Sequence, residues 1–219
     1  VCLLGSGCLF TPDDTNTCDD GNTCTLDHCS LGICQSDPVG PVTQTFANPA
    51  QIRIPATGTG GAAGPYPSLI TLPALGPLLS LKVQLNGLSH PFPDDIDILL
   101  VGPTGQTAII MSDVGGNIPA NVSLMLDDLA PSGLPDLGPL VSGSFKPTNI
   151  GIPDSFPGAP PPTTNTSLSI FNGPPPSGTW SLYIFDDSSV GGAGGLQNGW
   201  ALTVTSQCLG AVPFAGSTA

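Results

Sequence analysis

The chain of 219 residues carries a formal net charge of −13, with 16 acidic residues set against only Arg53, Lys82 and Lys146. Every acidic residue is Asp and none is Glu. So small a cationic complement excludes a phosphate-binding surface, and with it nucleic acid and anionic membranes as partners. No apolar run approaches the about eighteen residues that a helical membrane span requires.

The length suits one well-buried domain with a small appendage. The 29 Gly and 26 Pro would fit a disordered chain, but 39% of residues are hydrophobic and fall into patterned runs, which predicts a loop-rich β protein. The lack of Glu and the scarcity of Lys and Arg argue against helices, because these residues build exposed helix faces whereas Asp prefers caps and turns. Val1 is neither a Met nor part of a signal peptide, so the expectation is a soluble chain whose targeting segment has been removed.

Three segments are predicted: a cysteine-rich segment over 1–40, a main domain over 41–206 and a tail over 207–219. The first contains Cys2, Cys8, Cys18, Cys24, Cys29 and Cys34, and Cys208 brings the total to seven. Such density in a short segment points to an oxidising, extracellular compartment, where disulfides replace a core that the segment cannot build. All seven are candidate disulfide partners, and the odd number leaves at least one thiol free or joined to another chain. The run CDDGNTCTLDHCSLGIC, from Cys18 to Cys34, resembles the short cysteine repeat of extracellular matrix and surface proteins with CDDGNxCTxDxC spacing; the resemblance implies an extracellular, disulfide-bonded loop.

In the main domain the clearest strand lies in LLSLKVQLNGL, where Leu79, Leu81, Val83 and Leu85 alternate with polar neighbours at period two. Trp180, Leu182 and Ile184 repeat the pattern, as do Trp200, Leu202 and Val204, so both Trp residues read as core. Further strands are predicted at 51–54, 68–72, 96–101, 107–111, 122–126 and 167–171. Residues 131–166 read as a long irregular loop with at most one short strand near 140–145. About nine strands separated by turn signals predict an all-β sandwich or jelly roll.

The segments IPATGTGGAAGPYPSLITL, LKVQLNGLSHPFPDDIDILLVGPTG, IIMSDVGG, FNGPPPSGTWSLYIFDD and GGLQNGWALTV, taken in that order, resemble the P domain of proprotein convertases and of many secreted microbial proteins. The match covers almost all of residues 44–205 and implies a jelly-roll β-sandwich. In convertases this domain accompanies a subtilisin-like catalytic domain that the present chain lacks, so protease activity is not part of what the resemblance implies.

Ten of the 16 Asp residues form adjacent pairs, at 13–14, 19–20, 94–95, 127–128 and 186–187. Two carboxylates about 5 Å apart repel by roughly 3 kcal/mol at an effective dielectric of about 20, and three basic residues cannot neutralise so many. A bound cation answers the repulsion, and Ca2+ suits these ligands because it takes oxygen donors from flexible loops, whereas zinc and copper call for His or thiolate. The candidate ligands are Asp94, Asp95, Asp97, Asp113, Asp127, Asp128, Asp186 and Asp187 near strand ends, with Asp19, Asp20, Asn22 and Asp27 as a second cluster. The competing reading takes each doublet as a solvated turn former.

Neither His28 nor His90 lies in a catalytic motif, and no G-x-S-x-G elbow is present, so the chain is predicted not to be an enzyme. Paired carboxylates could hydrolyse a glycoside, but only 5% of residues are aromatic and no sugar cleft is apparent. Asn121 and Asn165 begin N-glycosylation sequons, so glycans are expected. The first functional expectation is a calcium-binding extracellular subunit that assembles head to tail with identical copies into a fibre or surface layer, in keeping with the odd cysteine and a charged content of 9%. The alternative is a monomeric, non-catalytic accessory or adhesion domain of a secreted hydrolase.

Overall fold

The computed structural model describes residues 2–3, 7–8, 18–19, 24–31, 33–151 and 154–208. The chain divides into two compact units, Val1–Pro41 with Gln207–Ala219, and Val42–Ser206.

The smaller unit holds strands β1 (Cys2–Leu3), β2 (Gly7–Cys8), β3 (Thr25–Ser30) and β4 (Ile33–Pro38), which form two antiparallel ladders, β1 with β2 and β3 with β4. Disulfides join Cys18 to Cys34 and Cys24 to Cys208. The second bond brings the first residues of the expected tail into the cysteine-rich unit, and 209–219 lie outside the described residues. Cys29, directly opposite Cys34 in the β3–β4 ladder, is a free thiol. Cys2 and Cys8 are register partners, their side chains outside the described residues.

The larger unit is a two-sheet β-sandwich, as the strand count predicts. Its strands are β5 (Val42–Asn48), β6 (Ile52–Ile54), β7 (Gly61–Ala62), β8 (Ser68–Leu72), β9 (Leu78–His90), β10 (Ile96–Val101), β11 (Thr107–Ser112), β12 (Ala120–Leu126), β13 (Gly143–Phe145), β14 (Thr148–Asn149), β15 (Gly178–Asp186), β16 (Gly194–Leu196) and β17 (Trp200–Ser206). One sheet runs β14-β11-β10-β15, with β15 pairing β8 along its first half and β7 near its end. The other runs β13-β12-β9, after which β9 pairs β17 and then β16, which lead on to β5 and β6 respectively.

The two sheets share one core. Leu81, Val83, Leu85, Leu202 and Val204 meet Ile98, Leu100, Ile110, Leu182 and Ile184 between them. Trp180 and Trp200 are fully buried there, as their strand phase predicts, and each indole N–H is satisfied: Trp180 Nε1 donates to the Pro176 carbonyl at 2.8 Å and Trp200 Nε1 to Ser68 Oγ at 3.0 Å.

Several elements depart from the expectation. Residues 131–166, expected to hold at most one short strand, carry both β13 and β14, and Leu79, expected on the buried face of β9, is exposed while Leu78 is buried. The predicted strand at 167–171 is a 3-10 helix, Leu168–Phe171, because the Asp128 carboxylate accepts the backbone N–H of Leu168 at 2.9 Å and of Ser169 at 2.8 Å, which favours a turn over a ladder. Strand β5 has no counterpart in the sequence pattern, since VTQTFAN lacks an apolar alternation. Its partner β17 supplies the pairing, reinforced by Thr43–Thr205 and Thr45–Thr203 hydroxyl contacts at 2.9 and 3.1 Å.

Candidate metal centre

The site grows out of one sheet's outward face. Every residue of β10 and β11 is buried, although period-two geometry sends only half of them into the inter-sheet core. Ile96, Ile98 and Leu100 take that direction. Asp97, Leu99 and Val101 point the other way, and a second apolar cluster forms where Leu99, Val101 and Ile109 pack against Phe156, with Ala159, Tyr183 and Phe185 at its margin. Residues 154–166 therefore lie as a strap across the outer face of this sheet, and Asp97 at its end is only 2% exposed.

Register then gathers the polar groups. Asp97 stands opposite Phe185 on β15, and Ser112 opposite Asn149 in the parallel β11–β14 pair, so Ser112 and Asn149 share a face. Immediately after β11 the chain turns at Asp113, whose φ of 52° lies in the left-handed region that Asp tolerates better than most residues. Gly151 makes room for this carboxylate: a Cβ at Gly151 would stand 2.9 Å from Asp113 Oδ2, and its φ of 76° also favours glycine.

Ser112 Oγ, fully buried, sits 2.8 Å from Asp97 Oδ1, 2.9 Å from Asp154 Oδ1 and 3.2 Å from Asp113 Oδ2. One hydroxyl proton can serve only one of three acceptors. One oxygen from each of the three carboxylates lies within 4.8 Å of the others, so each ionised pair repels by about 3 kcal/mol at an effective dielectric of about 20. Burial, with Asp154, Asp187 and Asp113 adding to it and the Ser112 hydrogen bond opposing, pushes the Asp97 carboxyl up to about 8. Burial also raises Asp113, helped by Asp154, Asp187 and Asp94. Asn149 Oδ1 is buried without a hydrogen-bond partner. The group thus comprises three carboxylates and a hydroxyl, with excess negative charge and, among the described residues, no His or Cys in the cluster. Those donors fit a hard cation such as Ca2+ and not zinc.

More acid surrounds it. Burial raises Asp187, with Asp95 and Asp154 adding to the effect, and burial likewise raises Asp94, beside Asp95 and Asp136. Asp186 is held differently: its Oδ2 lies 3.3 Å from His90 Nε2, both side chains fully buried, and its Oδ1 accepts the Ser188 N–H at 3.1 Å. His90 Nδ1 lies 2.7 Å from the Phe92 carbonyl, which places this imidazole in a structural bridge between two chain segments.

Of the predicted ligands, Asp97 and Asp113 come together, with Asp94, Asp95, Asp186 and Asp187 around them. Asp127 and Asp128 are engaged elsewhere. Asp127 accepts from Lys82 Nζ at 2.8 Å and from the Leu129 N–H at 2.9 Å, and these bonds outweigh its burial to hold its carboxyl below the usual range. Asp128 caps the 3-10 helix, also accepting from Ser167 Oγ at 2.6 Å. In the smaller unit Asp19 is exposed and Asp27 half-buried, whereas Asp13, Asp14, Asp20 and Asn22 lie outside the described residues. Asn121 is exposed on β12, and Asn165 is half-buried with its Oδ1 accepting the Ser167 N–H at 3.1 Å.

Asp154, Ser112 and Asn149 are absent from the sequence-based ligand set. Asp154 is a single Asp in a stretch read as loop, and the doublet signal passes over it. The one available clue is the Ser112-Asp113 step at a strand end, where oxygen ligands for a hard cation often collect.

Fold and site together define a β-sandwich with a carboxylate cluster centred on the buried Asp97, beside a smaller disulfide-bonded unit. No helix among the described residues is long and apolar enough to cross a membrane. No protein-family model matches the chain, and no curated protein matches it. Among solved structures it is similar to a serine protease of Aeromonas sobria, alone and in complex with its chaperone ORF2. In each case identity is 16%, the TM-score is 0.34, and the alignment covers 78% of this chain. The chain spans about a quarter of the protease's length, 28%.

Proposed function

We propose that this chain is a secreted, non-catalytic, P domain-like β-sandwich that binds Ca2+ through Asp97, Asp113 and Asp154 and serves an extracellular assembly. The observation that carries this reading is the meeting of three carboxylates on one buried hydroxyl, which has too few protons for its acceptors. Asp94, Asp95 and Asp187 add long-range attraction for a cation. The His90–Asp186 pair is sealed from solvent, and His90 Nδ1 is engaged by the Phe92 backbone, which supports a structural role over a catalytic one.

Use as a self-assembling subunit draws support from Cys29, a thiol available for a bond to a second copy, and from β5, an edge strand of seven residues without charge or proline. Titration calorimetry with CaCl2 on chelator-treated protein should show saturable binding that Asp97→Asn abolishes. Heat absent from wild type, or unchanged in the variant, would refute the calcium reading. Size-exclusion chromatography with and without EDTA separates assembly from the monomeric accessory alternative.

A further inference from the structure

We propose that the cation works as a latch: its occupancy decides whether the strap of residues 154–166 stays closed over the outer face of the β14-β11-β10-β15 sheet. This rests on the calcium reading above. Two of the three carboxylates belong to the sheet, Asp97 on β10 and Asp113 at the end of β11, and only Asp154 belongs to the strap. Phe156, two residues further on, is inserted among Leu99, Val101 and Ile109 and is 5% exposed. At the far end the strap is tied by Ile109 N–H to the Asn165 carbonyl at 3.1 Å and by Thr163 Oγ1 to the Thr107 carbonyl at 3.1 Å.

The near end is held by Phe156 with Ala159 beside it, by the 2.9 Å hydrogen bond from Ser112 Oγ to Asp154, and by whatever sits between Asp154 and the sheet carboxylates, while upstream the Ile150 N–H is bonded to the Ser112 carbonyl at 3.2 Å. With a divalent ion there, Asp154 is drawn onto the sheet. Without it, the same carboxylate faces the Asp113 carboxylate across a single Ser112 hydroxyl and is pushed away, carrying Phe156 with it. Opening bares Leu99, Val101 and Ile109, with Tyr183 and Phe185 beside them, while the inter-sheet core stays intact because none of its residues lies on the strap. Local opening of a segment held by few contacts is the ordinary low-energy fluctuation of a folded domain.

Hydrogen–deuterium exchange on the full chain, compared in CaCl2 and in EDTA, tests this without a variant. The Ala159 N–H, bonded to the Phe156 carbonyl at 3.0 Å, should exchange about tenfold or more faster in EDTA, while amides of β9 and β17 keep their protection. A fluorescent apolar dye should bind only in EDTA. In Asp154→Asn the Ala159 amide should exchange at one intermediate rate in both buffers, because both the ion's grip and the repulsion are weakened. Calorimetric binding with unchanged strap exchange would overturn the latch and leave the calcium site standing. Loss of protection spread evenly over β9, β17 and the strap would also overturn it, showing global stabilisation instead. Absence of calorimetric binding would remove the calcium reading itself.

Discussion

The two sheets of the sandwich treat their outward faces in opposite ways. On the β5-β17-β9 side the outward residues are Thr43, Thr45, Thr203, Thr205, Ser80 and Lys82, which meet solvent and one another through hydroxyl contacts. On the β10-β11-β15 side they are Leu99, Val101, Ile109 and Tyr183, which need a cover, and residues 154–166 supply one. The first face is stable as it stands because alternation makes it polar. The second brings Asp97 under the cover as well, and burying a carboxylate beside two others disfavours its ionised form.

The sharpest way to break this contrast is Phe156→Ala. Removing the ring from the covered face should cost about 3–5 kcal/mol in urea-unfolding free energy, whereas Thr45→Ala on the polar face should change it by no more than about 0.5 kcal/mol. Equal losses would mean that the strap is not a packed layer.

The next effect is the pH dependence of the metal-free protein. In the unfolded chain Asp97 releases its proton near 3.8, whereas in the fold it holds it to about 8, so the folded state binds more protons throughout that window. Stability of EDTA-treated protein should therefore fall by a few kcal/mol as pH rises from about 4 to about 8 and level off above. Asp113, Asp94 and Asp187, raised in the same direction, add to the slope. Saturating calcium should flatten or reverse it, and Asp97→Asn should reduce it; denaturant midpoints at pH 5 and pH 8 provide the measurement.

The smallest expected effect belongs to the open face. Asp127→Asn loses the Lys82 contact, which is exposed on the lysine side, and should cost about 0.5–1 kcal/mol at pH 7. Because the Asp127 carboxyl is held below its ordinary 3.8, its contribution is present above that pH and fades as pH falls below it, opposite in sign to Asp97. A salt titration of the same variant pair should shrink the difference.

Much of this was legible in the linear chain. Period-two alternation in 81–85, 180–184 and 200–204 marks half-buried strands because one face of each meets the shared core. A chain without Glu and nearly without Lys or Arg has little with which to clothe helices. Asp crowding marked Asp97 and Asp113 as carboxylates set among others, and the fold brings these two together with Asp154. The runs ILLV (98–101) and AIIM (108–111) lack alternation, as strands buried on both faces do.

What covers it, and which carboxylates converge, only the tertiary structure decided. Asp154 reaches Asp97 from 57 positions away because a Pro- and Gly-rich loop, patternless as a sequence, is held by the apolar face it lies on. The Asp127–Asp128 doublet looks like the others in sequence and yet caps a helix and pairs with Lys82. Disulfide choice follows the same logic, since Cys24 finds Cys208 across a separation of 184 residues while Cys29 and Cys34, opposite each other, remain unjoined. Local composition sets what a segment prefers; long-range packing sets which charges must share a space.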